Sequence, residues 1–442
     1  MNPPKRPADA APRDRRAAGS LAALLTGHTL SQTGNTVTAF AVPFYVLGIG
    51  GTAVEVGVAA FFATAPIVIG GALGGVVVDR VGYRRAAIGA DVISGASVLA
   101  IPVLALTVGL PFWGLLLLVF AGGLFDTPGQ TARRVMLPEL TQRAGVRLEQ
   151  SVGLLDGSER LAKLIGAPVA GLLVALIGPT DALFATAASF AVSALLTFAF
   201  VVEISPADNT TPADGTTPAE LGAAAEPRIP STYWSELRDG FAFVVRDPLM
   251  RLLVALVLVT NLLDAARGST LMPLYAHDHL GGAAALGVLV AVMGGCALVG
   301  NVVFGFVAHR VPRRITFAVC FVIAGGPANL AFALGAPMPV LLAVTGLAGL
   351  AAGALNPILG AVQLERVPAS MRGRVFGLTN AGAWAGVPFG ALLGGLSAEA
   401  FGLAATFGAI AIIYTVVTLA PLTGGSWRLM ERPAAPGDAA VR

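Results

Sequence analysis

The chain is 442 residues long, 55% hydrophobic and only 12% charged, with a net charge of +3. Soluble domains carry about 25% charged residues, so a soluble globular protein is excluded. The small basic excess lies in tails and loops rather than in a patch suited to nucleic acid.

A bilayer-spanning helix needs about 20 apolar residues. Twelve such spans follow in order: 21–48, 54–78, 86–108, 112–135, 150–177, 182–202, 249–276, 284–308, 315–335, 339–362, 375–397 and 403–422. The loops on one side hold no Lys or Arg, which places the other side, with the tails 1–20 and 423–442, in the cytoplasm. The basic segment 1–20 is not a cleavable signal, because the run from Leu21 is long enough to span. Segments 21–202 and 249–422 thus form two six-helix halves joined by 203–248. The first part of that linker, rich in Thr, Pro and Ala, cannot bury enough apolar surface to fold. Further on, Trp234, Leu237, Phe241 and Val244 recur at helical spacing. They predict an amphipathic helix on the inner membrane surface or an extension of the seventh span. Cys296 and Cys320 sit in apolar stretches without metal-ligand spacing and read as small buried hydrophobes.

The second span ends in Gly71-Ala-Leu-Gly-Gly-Val-Val-Val-Asp-Arg-Val-Gly-Tyr-Arg-Arg85, and the eighth ends in the similar Gly305-Phe-Val-Ala-His-Arg-Val-Pro-Arg-Arg314. Two such copies indicate a duplicated membrane unit. The first copy resembles the loop signature of the major facilitator superfamily, Gly-x-x-x-Asp-Arg-x-Gly-x-Arg-Arg. The resemblance continues through Gly27, Ser31 and Gly34, Leu137-Pro-Glu-Leu140, Leu237-Arg-Asp-Gly240 and Arg372-Gly-Arg-Val375. Together these look like the branch that holds macrolide-efflux and siderophore-exporter-like proteins. The resemblance implies an all-α polytopic membrane protein of the cell inner membrane, with twelve transmembrane helices in two pseudo-symmetric six-helix bundles. A monomer without cofactor or metal is expected. The resemblance also implies a latch in which Asp79, with Arg80, Arg84 and Arg85, closes the cytoplasmic side against the start of the eleventh span and against Arg133 or Arg134 of the fourth.

Gly382, Gly386, Gly390 and Gly394 recur every four residues in the eleventh span, with Gly70, Gly71, Gly74 and Gly75 in the second. Such faces let helix backbones approach closely. The fifth span carries Gly166, Pro168 and Gly171, similar to the superfamily's Gly-Pro-x-x-Gly antiporter signature except that Ala167 precedes the proline. The resemblance implies that spans two and eleven meet, as do five and eight, where Gly294, Gly295 and Gly300 lie. Packing inside each half is the alternative.

An ionisable side chain at membrane depth costs at least about 2.5 kcal/mol and is a functional candidate by default. Asn261, Asp264 and Arg267 share one face of the seventh span, where Asp264 either pairs with Arg267 or carries a proton. Burial and a nearby guanidinium act in opposite directions on a carboxylate's proton affinity, as a carrier requires. Asp126, near Thr127 and Gln130, and Asp91 are either proton sites or anchors for Arg133 and Arg134. In the fifth span Asp156 and Arg160, and Glu159 and Lys163, are spaced to pair along the helix. His28 and Asn35 face a cleft or a neighbouring helix, and relatives often have an acid where Asn35 stands. Phe40, Phe44, Phe125, Met272, Tyr275 and Trp384, with Asn35 and Asn261 as polar anchors, are candidate cleft residues for a bulky apolar ligand. No nucleotide-binding phosphate loop, His-Glu-x-x-His or Gly-x-Ser-x-Gly is present. The expected function is a secondary active transporter, not an enzyme, exporting hydrophobic or amphiphilic small molecules in exchange for protons across the lipid bilayer. Uptake of a small solute, a membrane sensor and a membrane enzyme are the alternatives.

Overall fold

The computed structural model describes residues 15–203, 233–368 and 371–431, and these contain helices and no strand. The first four helices are α1 (Arg15–Gly48), α2 (Ala53–Val81), α3 (Tyr83–Thr107) and α4 (Phe112–Arg143). The run Leu148–Phe200 breaks at Gly178, giving α5 (148–177) and α6 (179–200). Then come α7 (Tyr233–Arg246), α8 (Pro248–His279), α9 (Ala283–Val307), α10 (Arg313–Ala333), α11 (Met338–Arg366), α12 (Arg372–Phe401) and α13 (Leu403–Leu419). The seventh to twelfth predicted spans are therefore α8 to α13. Ten stretches are long and apolar enough to cross a membrane among the described residues; Gln150–Phe200 counts once for two helices, and α1, with its polar stripe, is not among them. The helix α7 forms where the amphipathic pattern predicts one, although the side chains of 233–237 lie outside the described residues.

Local chemistry sets the helix ends. Thr52 and Glu55 form a capping box at the start of α2: the Thr52 amide donates to Glu55 Oε2 at 2.8 Å, and the Glu55 amide to Thr52 Oγ1 at 3.3 Å. The turns after α5 and α12 repeat the same backbone geometry, Gly178 at φ 85°, ψ 162° and Gly402 at φ 82°, ψ 160°. That region is open essentially to glycine alone. The match is a structural trace of the duplication.

Contacts divide the chain into two compact units, Met1–Tyr45 with Phe62–Ala224, and Val46–Phe61 with Ala225–Arg442. The turn between α1 and α2, with its flanks, therefore belongs to the second unit rather than to the expected segment 21–202. In the first unit α1 lies against α6, where a Cβ on Gly34 would come 2.4 Å from Ser189 Oγ, and against α5, where one on Gly166 would meet Thr36 at 3.2 Å. Its core holds an ion pair: Arg133 of α4 donates to Asp91 of α3, both 1% exposed. Ser193 Oγ of α6 lies 2.7 Å from Asp91 Oδ2 and 2.8 Å from the Gly27 carbonyl, so its single proton serves one at a time. Of the two roles open to Asp91, this is the anchoring one.

Glycine shapes the second unit most. A Cβ on Gly390 would lie 2.0 Å from the Leu262 carbonyl, and Gly386 and Gly394 face Leu258 and Ala266 in the same way. The glycine face of α12 thus receives α8, a packing within the unit. Gly395 meets the start of α2, its would-be Cβ 3.0 Å from Gly57 Cα. Contact between the second and eleventh spans therefore runs through Gly57 and Gly395; the packing of Gly74 and Gly75 lies outside the described contacts. Gly300 of α9 faces Leu350 of α11 rather than the fifth span.

Asp247 ties the entry of α8 to the exit of α11. Its Oδ1 accepts from the Leu249 and Met250 amides at 2.9 Å each, and its Oδ2 from Arg366 at 2.6 and 3.1 Å. Burial is the largest single influence on this carboxyl and raises its pKa, but the Arg366 hydrogen bond, the two amides and the Arg366 charge together outweigh it. Asp247 therefore ionises below the usual carboxylate range.

Two outcomes follow from this packing. Gly390→Val should destabilise the purified protein by about 1–3 kcal/mol, whereas Gly305→Ala, placed in open space, should leave thermal unfolding in detergent unchanged. Because the Asp247 pKa is depressed on folding, its stabilisation is present above about pH 4 and fades as pH falls through the folded value. Asp247→Asn should therefore lower the unfolding temperature at neutral pH, and the gap to the wild type should shrink on acidification below about pH 4.

Candidate functional site

In the second unit a cavity of about 180 Å³ is lined by Thr260, Asn261 and Asp264 of α8, Met293 of α9, Asn356 of α11 and Tyr414 of α13, among others. One turn of α8 supplies both Asn261 and Asp264. Asn261 Nδ2 donates to the Ala383 carbonyl at 2.8 Å, just before the interruption of α12 between Trp384 and Val387. Tyr414 donates to Asp264 Oδ2 at 3.3 Å. Its ring lies against the backbone of α10 because residue 325 is glycine; a Cβ there would sit 2.1 Å from the ring.

Directly beyond Asp264 the helix widens into a π-helical segment, Ala266–Leu271. Wide turns of this kind recur at functional sites. The segment carries Arg267, 5% exposed, whose guanidinium reaches Met293 Sδ at 3.2 Å and leaves Nε buried without a hydrogen-bond partner. Among the described residues no ion pair joins Arg267 to Asp264. Asp264 is thus a partly buried acid in a small chamber of mixed polar and apolar lining, held by a neutral hydroxyl with a cation nearby. Such a group can gain and lose a proton without breaking a salt bridge.

A second polar cluster occupies the first unit. Asp126 Oδ2 of α4 accepts from Asn35 Nδ2 of α1 at 2.9 Å and from Gln130 Nε2 at 2.6 Å. Two turns further along α4, Arg134 donates to Glu159 Oε1 of α5 at 2.7 Å and lies 3.7 Å from Asp156. Glu159 Oε1 is also 3.0 Å from His28 Nε2 of α1. The expected pairs along α5 do not form: Glu159 and Asp156 turn to α1 and α4, and Arg160 and Lys163 are exposed.

The remaining candidates scatter. Arg84 donates to the Phe198 carbonyl at 2.6 Å and covers the Phe198 ring, so it fastens the end of α6. Arg85 pairs with Glu203 at 3.4 Å, and Arg80 is exposed. Arg133 and Arg134 are engaged with Asp91 and Glu159, and the Asp79 side chain lies outside the described residues. Pro168 is half-buried and Gly171 buried in α5. Phe40 and Met272 are buried, and Trp384 is exposed. Tyr275 packs edge-on to Phe332 and Phe407 and stacks on His279, which makes it part of an aromatic core rather than of the cavity. Tyr414 and Asn356 were not singled out from the sequence. Tyr414 is the only tyrosine of the last span, and Asn356 is a lone amide before Pro357 in an apolar run, so each carried a readable signal.

Comparison with known proteins agrees with this architecture. The model of the Major Facilitator Superfamily matches residues 24–298 and 269–440. The multidrug efflux pump Tap of Mycolicibacterium fortuitum is 30% identical over 399 residues, covering 89% of this chain and 93% of that protein. Macrolide efflux protein A of Streptococcus pyogenes is 22% identical over 389 residues, covering 85% and 89%. Among solved structures, the nucleoside transporter NupG aligns with a TM-score of 0.68 at 14% identity, covering 92% of this chain and 98% of its own. A D-xylose-proton symporter aligns at 0.65 and 15% identity, covering 94% and 98%. Helices, duplicated turns, loop signature and relatives agree: the chain is a multi-pass membrane transporter of the Major Facilitator Superfamily.

Proposed function

We propose that this transporter exports bulky apolar or amphiphilic compounds from the cytoplasm, driven by protons entering in exchange, with both termini cytoplasmic and a single chain as the working unit. The observation that carries the proton-coupled part is the chamber around Asp264. An acid at membrane depth is expensive to keep, and among the described residues no salt bridge neutralises it. Tyr414 and Asn261 hold its surroundings in place, and Arg267 supplies positive charge from the π-helical segment without closing a salt bridge. A change in access or in the position of Arg267 alters how well the carboxylate is stabilised, and so drives uptake or release of a proton. The names of the two relatives, a multidrug efflux pump and a macrolide efflux protein, support export of drug-like compounds.

One proton moving down a gradient of about one pH unit supports about a tenfold concentration of cargo, about 1.4 kcal/mol. In proteoliposomes given only a pH gradient, the wild type should accumulate a radiolabelled macrolide to that extent. Asp264→Asn should bind the macrolide and exchange it across the membrane but lose the accumulation. Undiminished accumulation by the variant would remove Asp264 from the coupling step.

A further inference from the structure

The polar cluster of the first unit is organised as two facing stripes. On α1, His28, Ser31 and Asn35 are three and four residues apart and share a face; on α4, Asp126, Gln130 and Arg134 recur every four residues. The stripes are bridged at both ends, by Asn35 and Asp126 at one and through Glu159 to His28 and Arg134 at the other. Exposure falls sharply along the second bridge: the side chains of Arg134 and Asp156 are about half exposed, Glu159 is 18% exposed and His28 is fully buried. Two atoms of the α1 stripe, His28 Nδ1 and Ser31 Oγ, are buried with no hydrogen-bond partner among the described residues. With Nε2 facing Glu159, the one on His28 is the nitrogen that a further proton would occupy.

We propose that His28 and Glu159 form a proton-binding site in the first unit, separate from Asp264, which loads and unloads through the half-exposed Arg134–Asp156 end. With Nε2–H donating to Glu159 Oε1, the incoming proton bonds to the lone pair of Nδ1 and converts the imidazole to an imidazolium that stays paired with Glu159. Charge balance favours that state. Arg134 offsets only one of the two carboxylates, Glu159 and Asp156, so this bridge is neutral once His28 is charged. The other groups around α1 add no cation to that count. Asp91 and Arg133 neutralise each other, α6 presents the hydroxyls of Ser193 and Thr197, Asp126 is engaged by two neutral amides that leave any charge it carries in place, and Arg160 and Lys163 are exposed. Only the part this site plays in the transport cycle rests on the proton-driven reading above; its chemistry does not.

The test follows the ring itself. His277, His279 and His309 are exposed, and replacing each by glutamine leaves His28 as the only histidine of the full chain. In lipid nanodiscs, 15N-labelled imidazole signals followed as pH is lowered should show the second ring nitrogen taking up a proton. Glu159→Gln should displace that transition, and Asp264→Asn should leave it where it is. A ring that keeps one protonation state over the whole pH range in which the protein stays folded overturns the proposal, as does a transition that Glu159→Gln does not move. Neither result bears on Asp264, whose role is read from accumulation. Conversely, loss of the Asp264 reading leaves the His28 titration as it stands.

Discussion

A polar side chain inside hydrocarbon has no water to turn to, so its partner must be another part of the protein. That constraint organises both units. Arg133 goes into the interior only because Asp91 is there, and Ser193 binds whichever of its two acceptors is free. Asn35 and Gln130 converge on Asp126, while Arg134 and His28 share a single oxygen of Glu159. The partner of Asp264 is a phenol, while the neighbouring Asn261 is committed to a backbone carbonyl. The first of these groups is a closed ion pair. The other two leave an acid or a ring nitrogen with capacity to spare.

Close helix packing is what brings such partners within reach. The glycine face of α12 lets α8 sit against it at backbone distance, and the same contact sets Asn261 beside the Ala383 carbonyl. Gly325 does the equivalent for Tyr414, which must lie flat on α10 for its hydroxyl to point at Asp264. Small residues here are therefore part of the site's construction even though none of them touches a proton or a cargo molecule.

The spans, the duplicated loop and the amphipathic helix were legible in the sequence because each depends on composition over many residues, which neighbours cannot override. Partner choice was less legible. Asp156 and Glu159 have cations four residues away in their own helix, yet pair with α4 and α1, and no local pattern distinguishes those outcomes. Likewise a glycine face announces that a backbone will approach without saying whose. The face of α12 took α8, and the approach of α2 fell to Gly395, one residue outside the stripe.

The direction in which Tyr275 points has a more specific cause. Counting about 100° per residue from Asp264, an unbroken α-helix would bring Tyr275 back to within roughly 20° of the same direction. The widened turn at Ala266–Leu271 holds an extra residue and shifts everything after it by about 100°. A single span is thus two helices out of phase. Its first half presents an amide, a hydroxyl and an acid to the chamber, and its second half presents an aromatic ring to Phe332 and Phe407. The two ends of α8 therefore answer to different neighbours, the chamber at one and the aromatic cluster at the other. In engineering terms α8 behaves as a shaft with a coupling, and the natural place to lengthen or shorten it by one residue is the coupling itself.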